Sequence, residues 1–299
     1  MSQPDKQTNG HLPVSAGLIM ALICFLWGGN PVSIKFSNQG IPPLMAAALR
    51  SLVSGALVWA YARMKGRGVV FPPGQTRHAF VIGLLFGLDF LFVYWGLAFT
   101  PASRAAIFLY THPFWVALGA HFFLKGDRLT PAKFLGLGLA FCGVAAVFHA
   151  RSPELPPFYW VGDLMELSAA MFWAATTLYI KRIIEKVSLD HFQTLFAQLI
   201  YAFPVLALGS VLFELPADLD LSLVVLASLF YQSVVVAFAS FLLWFWLIHR
   251  HTVSRLAAFT FMAPLFTVIL GSLVLDEPVT SLLWIGLACV AGGIYVVNR

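Results

Sequence analysis

Charged side chains are scarce in this sequence, and their scarcity excludes a soluble protein. Asp, Glu, Lys and Arg make up 10% of the 299 residues while apolar types make up 60%; an ordinary soluble domain carries about 25% charge. A water-soluble chain of this length needs a polar shell that so few polar residues cannot supply. Lipid must be the main solvent. Cysteine is scarce too: Cys24, Cys142 and Cys289 lie far apart, each in an apolar run and without Cys-x-x-Cys spacing. They read as packing residues. There is no Gly-x-x-x-x-Gly-Lys-Ser/Thr loop for ATP and no His-Glu-x-x-His pair for zinc, which argues against primary pumping and metalloprotease chemistry. No cofactor and no metal are expected. An enzyme built on a triad assembled only in space stays open as an alternative.

What the chain has is long apolar runs. A helix needs roughly 20 apolar residues to cross about 30 Å of hydrocarbon, because only a helix or a closed barrel satisfies its own backbone there. Runs of this kind lie near 14–36, 42–62, 79–99, 102–124, 133–150, 160–181, 191–213, 221–248, 253–275 and 281–297. They are apolar at consecutive positions, whereas a membrane β-barrel alternates. The expected fold class is therefore all-α, a polytopic membrane protein of ten transmembrane helices. The run 221–248 has no charge over 28 residues, too long for one upright span and too short for two, which predicts a tilted or bent helix. Residues 1–13 form a polar segment without a signal-peptide pattern, so the first span is expected to stay.

Basic residues orient the bundle. With the amino terminus inside, fourteen of the eighteen Lys and Arg fall on inner loops, among them Arg63, Lys65, Lys181 and Arg182. Lys35, Arg104 and Arg151 fall outside, and Arg50 lies within a span. The positive-inside rule then puts both termini in the cytoplasm. The net charge of +5 reflects this topology and implies no nucleic-acid partner. The expected partners are the bilayer and a small solute, with the chain as a monomer.

The sequence also repeats itself. Trp27 and Lys35 recur as Trp173 and Lys181, 146 residues on. Ser103, Arg104, Phe108 and Pro113 recur as Ser254, Arg255, Phe259 and Pro264, 151 on; Thr130, Gly136 and Gly143 recur as Thr280, Gly286 and Gly293, 150 on. The expected division is a cytoplasmic segment 1–13, a first five-helix repeat 14–150, an external linker 151–158 and a second five-helix repeat 159–299. Five is odd, so the second half enters the membrane in the opposite sense. Inverted repeats of this kind commonly build secondary transporters with a solute site between the halves, although duplicated bundles also serve channels and membrane enzymes.

Three motifs carry a resemblance. Trp27-Gly28-Gly29-Asn30, Thr100-Pro101-Ala102-Ser103-Arg104-Ala105-Ala106 and the turn Asp276-Glu277-Pro278-Val279-Thr280 look like the EamA-type branch of the drug/metabolite transporter superfamily. The length and the aromatic-rich spans 3, 4 and 8 also resemble the YddG-type bacterial exporters of aromatic and other amino acids. In the first half the corresponding turn, Gly126-Asp127-Arg128-Leu129-Thr130, lacks the usual Glu. The resemblance implies a secondary transporter in a bacterial inner membrane, exporting amino acids by alternating access. A drug or other metabolite carrier of the same fold is the alternative.

Candidate site residues come from polarity at depth. Ionisable groups inside a bilayer are costly and face a bundle interior or a wet cavity; here these are Arg50, Asp89, His112 and Glu166. Asp89 is a candidate solute contact, with a structural ion pair to Arg50 as its alternative. Glu166, Ala169, Ala170, Trp173 and Thr177 form one helical stripe, a groove wall or a packing seam. Phe86, Phe90 and Tyr94 recur every four residues beside Asp89, and Tyr110 and His112 cluster near Pro113; such rings could receive an aromatic solute or simply pack. Trp27, Asn30 and Gln232 complete the candidate set, with Gln198 as a further polar group for a carboxylate. Pro113 and Pro264 each free the carbonyl four residues earlier, Leu109 and Thr260, and are candidate hinges or packing kinks. Gly136, Gly138 and Ala140 in the fifth span and Gly286, Ala288, Gly292 and Gly293 in the tenth are expected to be packing residues, giving small faces for close helix approach away from the solute path and buttressing each half.

Overall fold

A computed structural model describes residues 14–71, 73–123, 130–149, 155–184, 187, 189–248, 260 and 262–297. Residues 1–13, much of the expected linker, the repeat partners Ser254, Arg255 and Phe259, and the turn 126–129 lie outside the described residues. Among those described, every regular element is helical: α1 (Val14–Ser37), α2 (Pro43–Met64), α3 (Thr76–Phe99), α4 (Ala102–Leu109), α5 (His112–Phe123), α6 (Pro131–His149), α7 (Tyr159–Ile184), α8 (His191–Phe213), α9 (Leu223–Phe230), a π-helical stretch (Tyr231–Ser240), α10 (Phe241–Ile248), α11 (Met262–Leu275) and α12 (Ser281–Val297). Local chemistry marks several starts. Pro43 and Pro131 stand at first helical positions, where the missing N–H costs nothing, and Asp190 with Gln193 forms a capping box on α8.

Six helical segments are long and apolar enough to cross a membrane: Val14–Ser37, Pro43–Met64, Thr76–Phe99, Ala102–Phe123, His191–Phe213 and Leu223–Leu247. Three shorter apolar helices lie at Phe134–Val147, Met262–Leu275 and Ser281–Gly293. α7 runs 26 residues but carries Asp163, Glu166, Lys181 and Arg182. Large apolar side chains such as Leu18, Leu22, Leu208 and Leu273 point outward while Arg50, Asp89, Glu166 and Gln232 are buried. That distribution suits a lipid surround.

The expected distortion near 221–248 takes a specific form. The chain from Leu223 to Ile248 stays helical but widens into the π stretch, and a π turn shifts the backbone register. Neighbouring helices meet carbonyls in and just before the π stretch: Ser33 Oγ donates to Ser228 O of α9 at 3.1 Å, Arg50 Nε to Gln232 O at 3.4 Å and Ser54 Oγ to Ser233 O at 2.9 Å. The Gln232 side chain completes a polar knot, accepting from Tyr94 Oη at 2.6 Å and donating to Ser33 Oγ and Ser37 Oγ.

Packing partners come in matched pairs. α1 packs against α11 as α7 packs against α4 and α5; α1 meets the α9–α10 segment as α7 meets α3; α2 meets the π stretch as α8 meets α3. The pairs α2 with α8, α4 with α11 and α6 with α12 each map onto themselves when the halves are exchanged. α6 and α12 come close at Gly143 and Gly286, since a Cβ on Gly143 would lie 2.7 Å from Gly286 O. Gly138, expected to give a small face for close helix packing, instead faces open space.

Candidate solute cavity

The helices leave a cavity of about 120 Å³ between them, on the scale of a ~150 Å³ cavity that accepts one benzene ring. α1 contributes Trp27, Asn30 and Pro31; α2 contributes Arg50; α3 contributes Phe86, Asp89, Phe90 and Val93. Leu109 and Tyr110 come from the end of α4, Trp173 from α7 and Gln198 from α8. The far wall is Val236 of the π stretch with Phe241, Trp244 and Phe245 of α10.

Neighbouring contacts fix the rings. Trp27 Nε1 donates to Ser240 Oγ at 2.9 Å, and the indole meets Trp244 and Phe241 edge-on at 5.3 and 5.9 Å. Trp173 lies flat on His112 with centroids 3.7 Å apart and meets Tyr110 edge-on at 5.9 Å. Phe86 and Phe90 stand 4.6 Å apart. Edge-on pairing of this kind holds large side chains in defined positions.

The polar groups are few and open. Arg50 is 0% exposed; its guanidinium carbon sits 4.1 Å above the Phe90 ring, and neither terminal nitrogen has a partner among the described residues. Asp89 Oδ1 and Asn30 Oδ1 are likewise buried without partners there. The ion pair considered between Arg50 and Asp89 is not formed: both line the cavity, but the ion pairs among the described residues do not include them. Arg50 is drawn instead to Phe90 and to the Gln232 carbonyl.

Seven candidate residues, Trp27, Asn30, Phe86, Asp89, Phe90, Tyr110 and Trp173, stand in the cavity wall. Four do not. Tyr94 and Gln232 are consumed by the polar knot. His112 is behind Trp173, stacked on its outer face. Glu166 is 0% exposed and packs against Gly96, where an added Cβ would lie 2.8 Å from its Oε1; Trp173, two turns further along α7, reaches the cavity.

Pro113 stands second in α5, just after a break at Tyr110 and Thr111, where Thr111 N and Oγ1 both turn to Phe108 O. The broken end, Leu109 and Tyr110, lines the cavity. Pro264 is the third residue of α11, and most of the segment before it lies outside the described residues. Sequence reasoning missed Phe241, Trp244 and Phe245 in the wall, and it offered Arg50 as a buried charge facing the bundle interior or a wet cavity and as an ion-pair partner, without counting it among the solute contacts. The repeat held a signal for part of this. Trp27 and Trp173 are matched positions, and Arg50 and Gln198, 148 residues apart, come from the mutually packed α2 and α8.

Fold and cavity define the class: a helical protein with membrane-spanning apolar helices and a ring-walled cavity among them. The chain belongs to the EamA-like transporter family, whose sequence model matches residues 15–149 and again residues 160–299. It is 27% identical over 290 residues to a protein of Escherichia coli (strain K12) named a probable amino-acid metabolite efflux pump, covering 94% of this chain and 93% of that protein. It is 28% identical over 301 residues to the uncharacterized transporter YetK of Bacillus subtilis (strain 168), covering 97% and 87%. A crystal structure 25% identical in sequence matches with a TM-score of 0.67, over 95% of this chain and 97% of the other.

Proposed function

We propose that this protein is a secondary transporter that exports amino acids, aromatic and other mostly apolar ones, across a bacterial inner membrane. Ten crossings form two inverted five-helix halves, 14–150 and 159–299, joined by an external linker, with both termini cytoplasmic. The halves rock about the cavity and open it alternately to each side. The observation that carries this reading is the cavity itself, ring-walled and holding one cation and one carboxylate that the described residues leave unpaired. Aromatic walls favour an apolar or aromatic side chain, and two opposite charges suit a zwitterion. The name of the Escherichia coli relative and the resemblance to YddG-type exporters support the same solute class. A carrier of purely lipophilic drugs would leave Arg50 and Asp89 desolvated without gain.

Purified protein in liposomes tests this directly. Labelled phenylalanine or methionine should exchange across the bilayer chemically unchanged and faster than in empty liposomes. Equal rates with and without protein would refute the transport reading, and chemical conversion of the solute would point to an enzyme.

A further inference from the structure

Among the described residues the bundle buries two arginines and treats them in opposite ways. Arg104 is fully engaged: it pairs with Asp163 through Nη2 and Nε, donates from Nη1 to Val147 O at 2.7 Å and lies 4.8 Å over the Tyr159 ring. Asp163 is steadied in turn by Thr100 Oγ1 at 2.7 Å. This is a closed network tying α4 to α6 and α7. Arg50 is equally buried and is left open. Only its Nε has an acceptor among the described residues, the Gln232 carbonyl at 3.4 Å, and both terminal nitrogens are unmet although they belong to a residue of the cavity wall. If Arg50 served only to satisfy the π stretch, Nε would suffice and a shorter donor could replace it. The forked end would have no work.

The neighbours of that end narrow its ligand. Phe90 and Phe241 present ring faces 4.1 and 5.7 Å from the guanidinium carbon; they hold the plane of the fork and cannot accept its in-plane hydrogen bonds. A planar fork takes a planar two-oxygen anion through paired hydrogen bonds. Asp89, in the same wall, has Oδ1 without a donor and repels an anion while attracting an ammonium. A solute carrying both a carboxylate and an ammonium meets the two demands at once.

We infer that Arg50 is the specificity-determining residue of the cavity, reading the carboxylate of the solute while Asp89 receives its ammonium. The side chain then falls among Trp27, Tyr110, Trp173 and Trp244. This rests on the transport reading above and adds to it a rule: the free carboxylate is required. Phenylalanine binds, whereas phenylalanine amide and phenethylamine, which keep the ring and the ammonium, do not.

Two measurements on the purified full chain test the rule. In detergent, phenylalanine should raise the melting temperature, and the amide and the amine at equal concentration should not. In liposomes the amide should inhibit phenylalanine counterflow at least tenfold more weakly than unlabelled phenylalanine does. Arg50→Lys should raise the KM for phenylalanine tenfold or more with little change in maximal rate, and Arg50→Gln should erase the preference for acid over amide. The unmodified protein is sufficient should either variant fail to fold. Competition by the amide within twofold of phenylalanine overturns the inference and leaves transport standing. Binding that obeys the carboxylate rule without any counterflow supports the site and sinks the transport reading.

Discussion

Asp89 and asparagine have nearly the same shape and differ in charge, which makes the exchange a clean probe of the cavity wall. The carboxylate is 3% exposed with Oδ1 unpartnered, and a charge at membrane depth costs about 2.5–3.5 kcal/mol on insertion scales. Asp89→Asn should therefore leave the melting temperature in detergent unchanged or raised, while phenylalanine counterflow falls at least tenfold. A large drop in melting temperature would make Asp89 a structural residue. Part of this site is legible in the amino-acid sequence. Asp89 stands mid-span, too far from either end to snorkel, and Trp27 and Trp173 are marked by the repeat. Arg50 is visible there as a buried charge, but its freedom is not, since pairing depends on which faces of α2 and α3 meet. Phe241, Trp244 and Phe245 are hidden for a related reason: their run, Phe241–Ile248, is apolar on every face, so periodicity cannot say which ring turns inward.

At the scale of elements, motifs that served only as family marks acquire causes. Glu277, in the turn between α11 and α12, accepts from Ala102 N at 2.6 Å, Ser103 N at 2.9 Å and Ser103 Oγ, capping α4. Glu214, at the end of α8, accepts from Leu44 N at 2.8 Å and Met45 N at 3.1 Å, capping α2. Both join a carboxylate to a helix start distant in sequence, and such caps are worth about 0.5–2 kcal/mol each. Glu277→Gln and Glu214→Gln should each lower the melting temperature by a few degrees, on the order of the shift a 1 kcal/mol loss gives a large domain. No change in either would mean that the charge at the cap is idle. Gly28 of the Trp27-Gly28-Gly29-Asn30 motif has a packing cause as well. A Cβ there would lie 2.5 Å from Phe266 Cβ and 2.8 Å from Ala263 O, while Thr267 Oγ1 donates to Gly28 O at 2.9 Å. Gly28→Ala should destabilise by about 1–3 kcal/mol through overpacking of α1 on α11, whereas Gly138→Ala, into open space, should be neutral or stabilising in the same melting assay. The break before Pro113 follows from the proline. The π stretch does not announce itself, because nothing in Tyr231–Ser240 departs from an ordinary apolar helix until Arg50 and Ser54 are placed against its carbonyls.

For the whole molecule, contacts between loops define two ends. Asp220 N donates to Gly40 O at 2.9 Å, which places the α1–α2 and α8–α9 connections at one end together with the Glu214 cap. Gln193 Nε2 donates to Val70 O at 2.7 Å and His78 meets Tyr179 Oη at 2.9 Å, which gathers the α2–α3 connection, the start of α8 and the end of α7 at the other. Trp27 and Trp173 hold matched places in the repeat, yet α1 runs toward the first end and α7 toward the second, as inversion requires. Gln39 and Asp218 are exposed at the first end, Lys65 and Arg182 at the second. In a chain freed of Cys24, Cys142 and Cys289, single cysteines at Gln39 and Asp218 should react with a membrane-impermeant maleimide on intact cells. Cysteines at Lys65 and Arg182 should react only after the membrane is opened. Reversal of the whole pattern would overturn the cytoplasmic placement of the termini and spare the inverted repeat. Labelling of Gln39 and Lys65 from the same side would remove α2 as a crossing, and with it the odd count that turns the second half upside down.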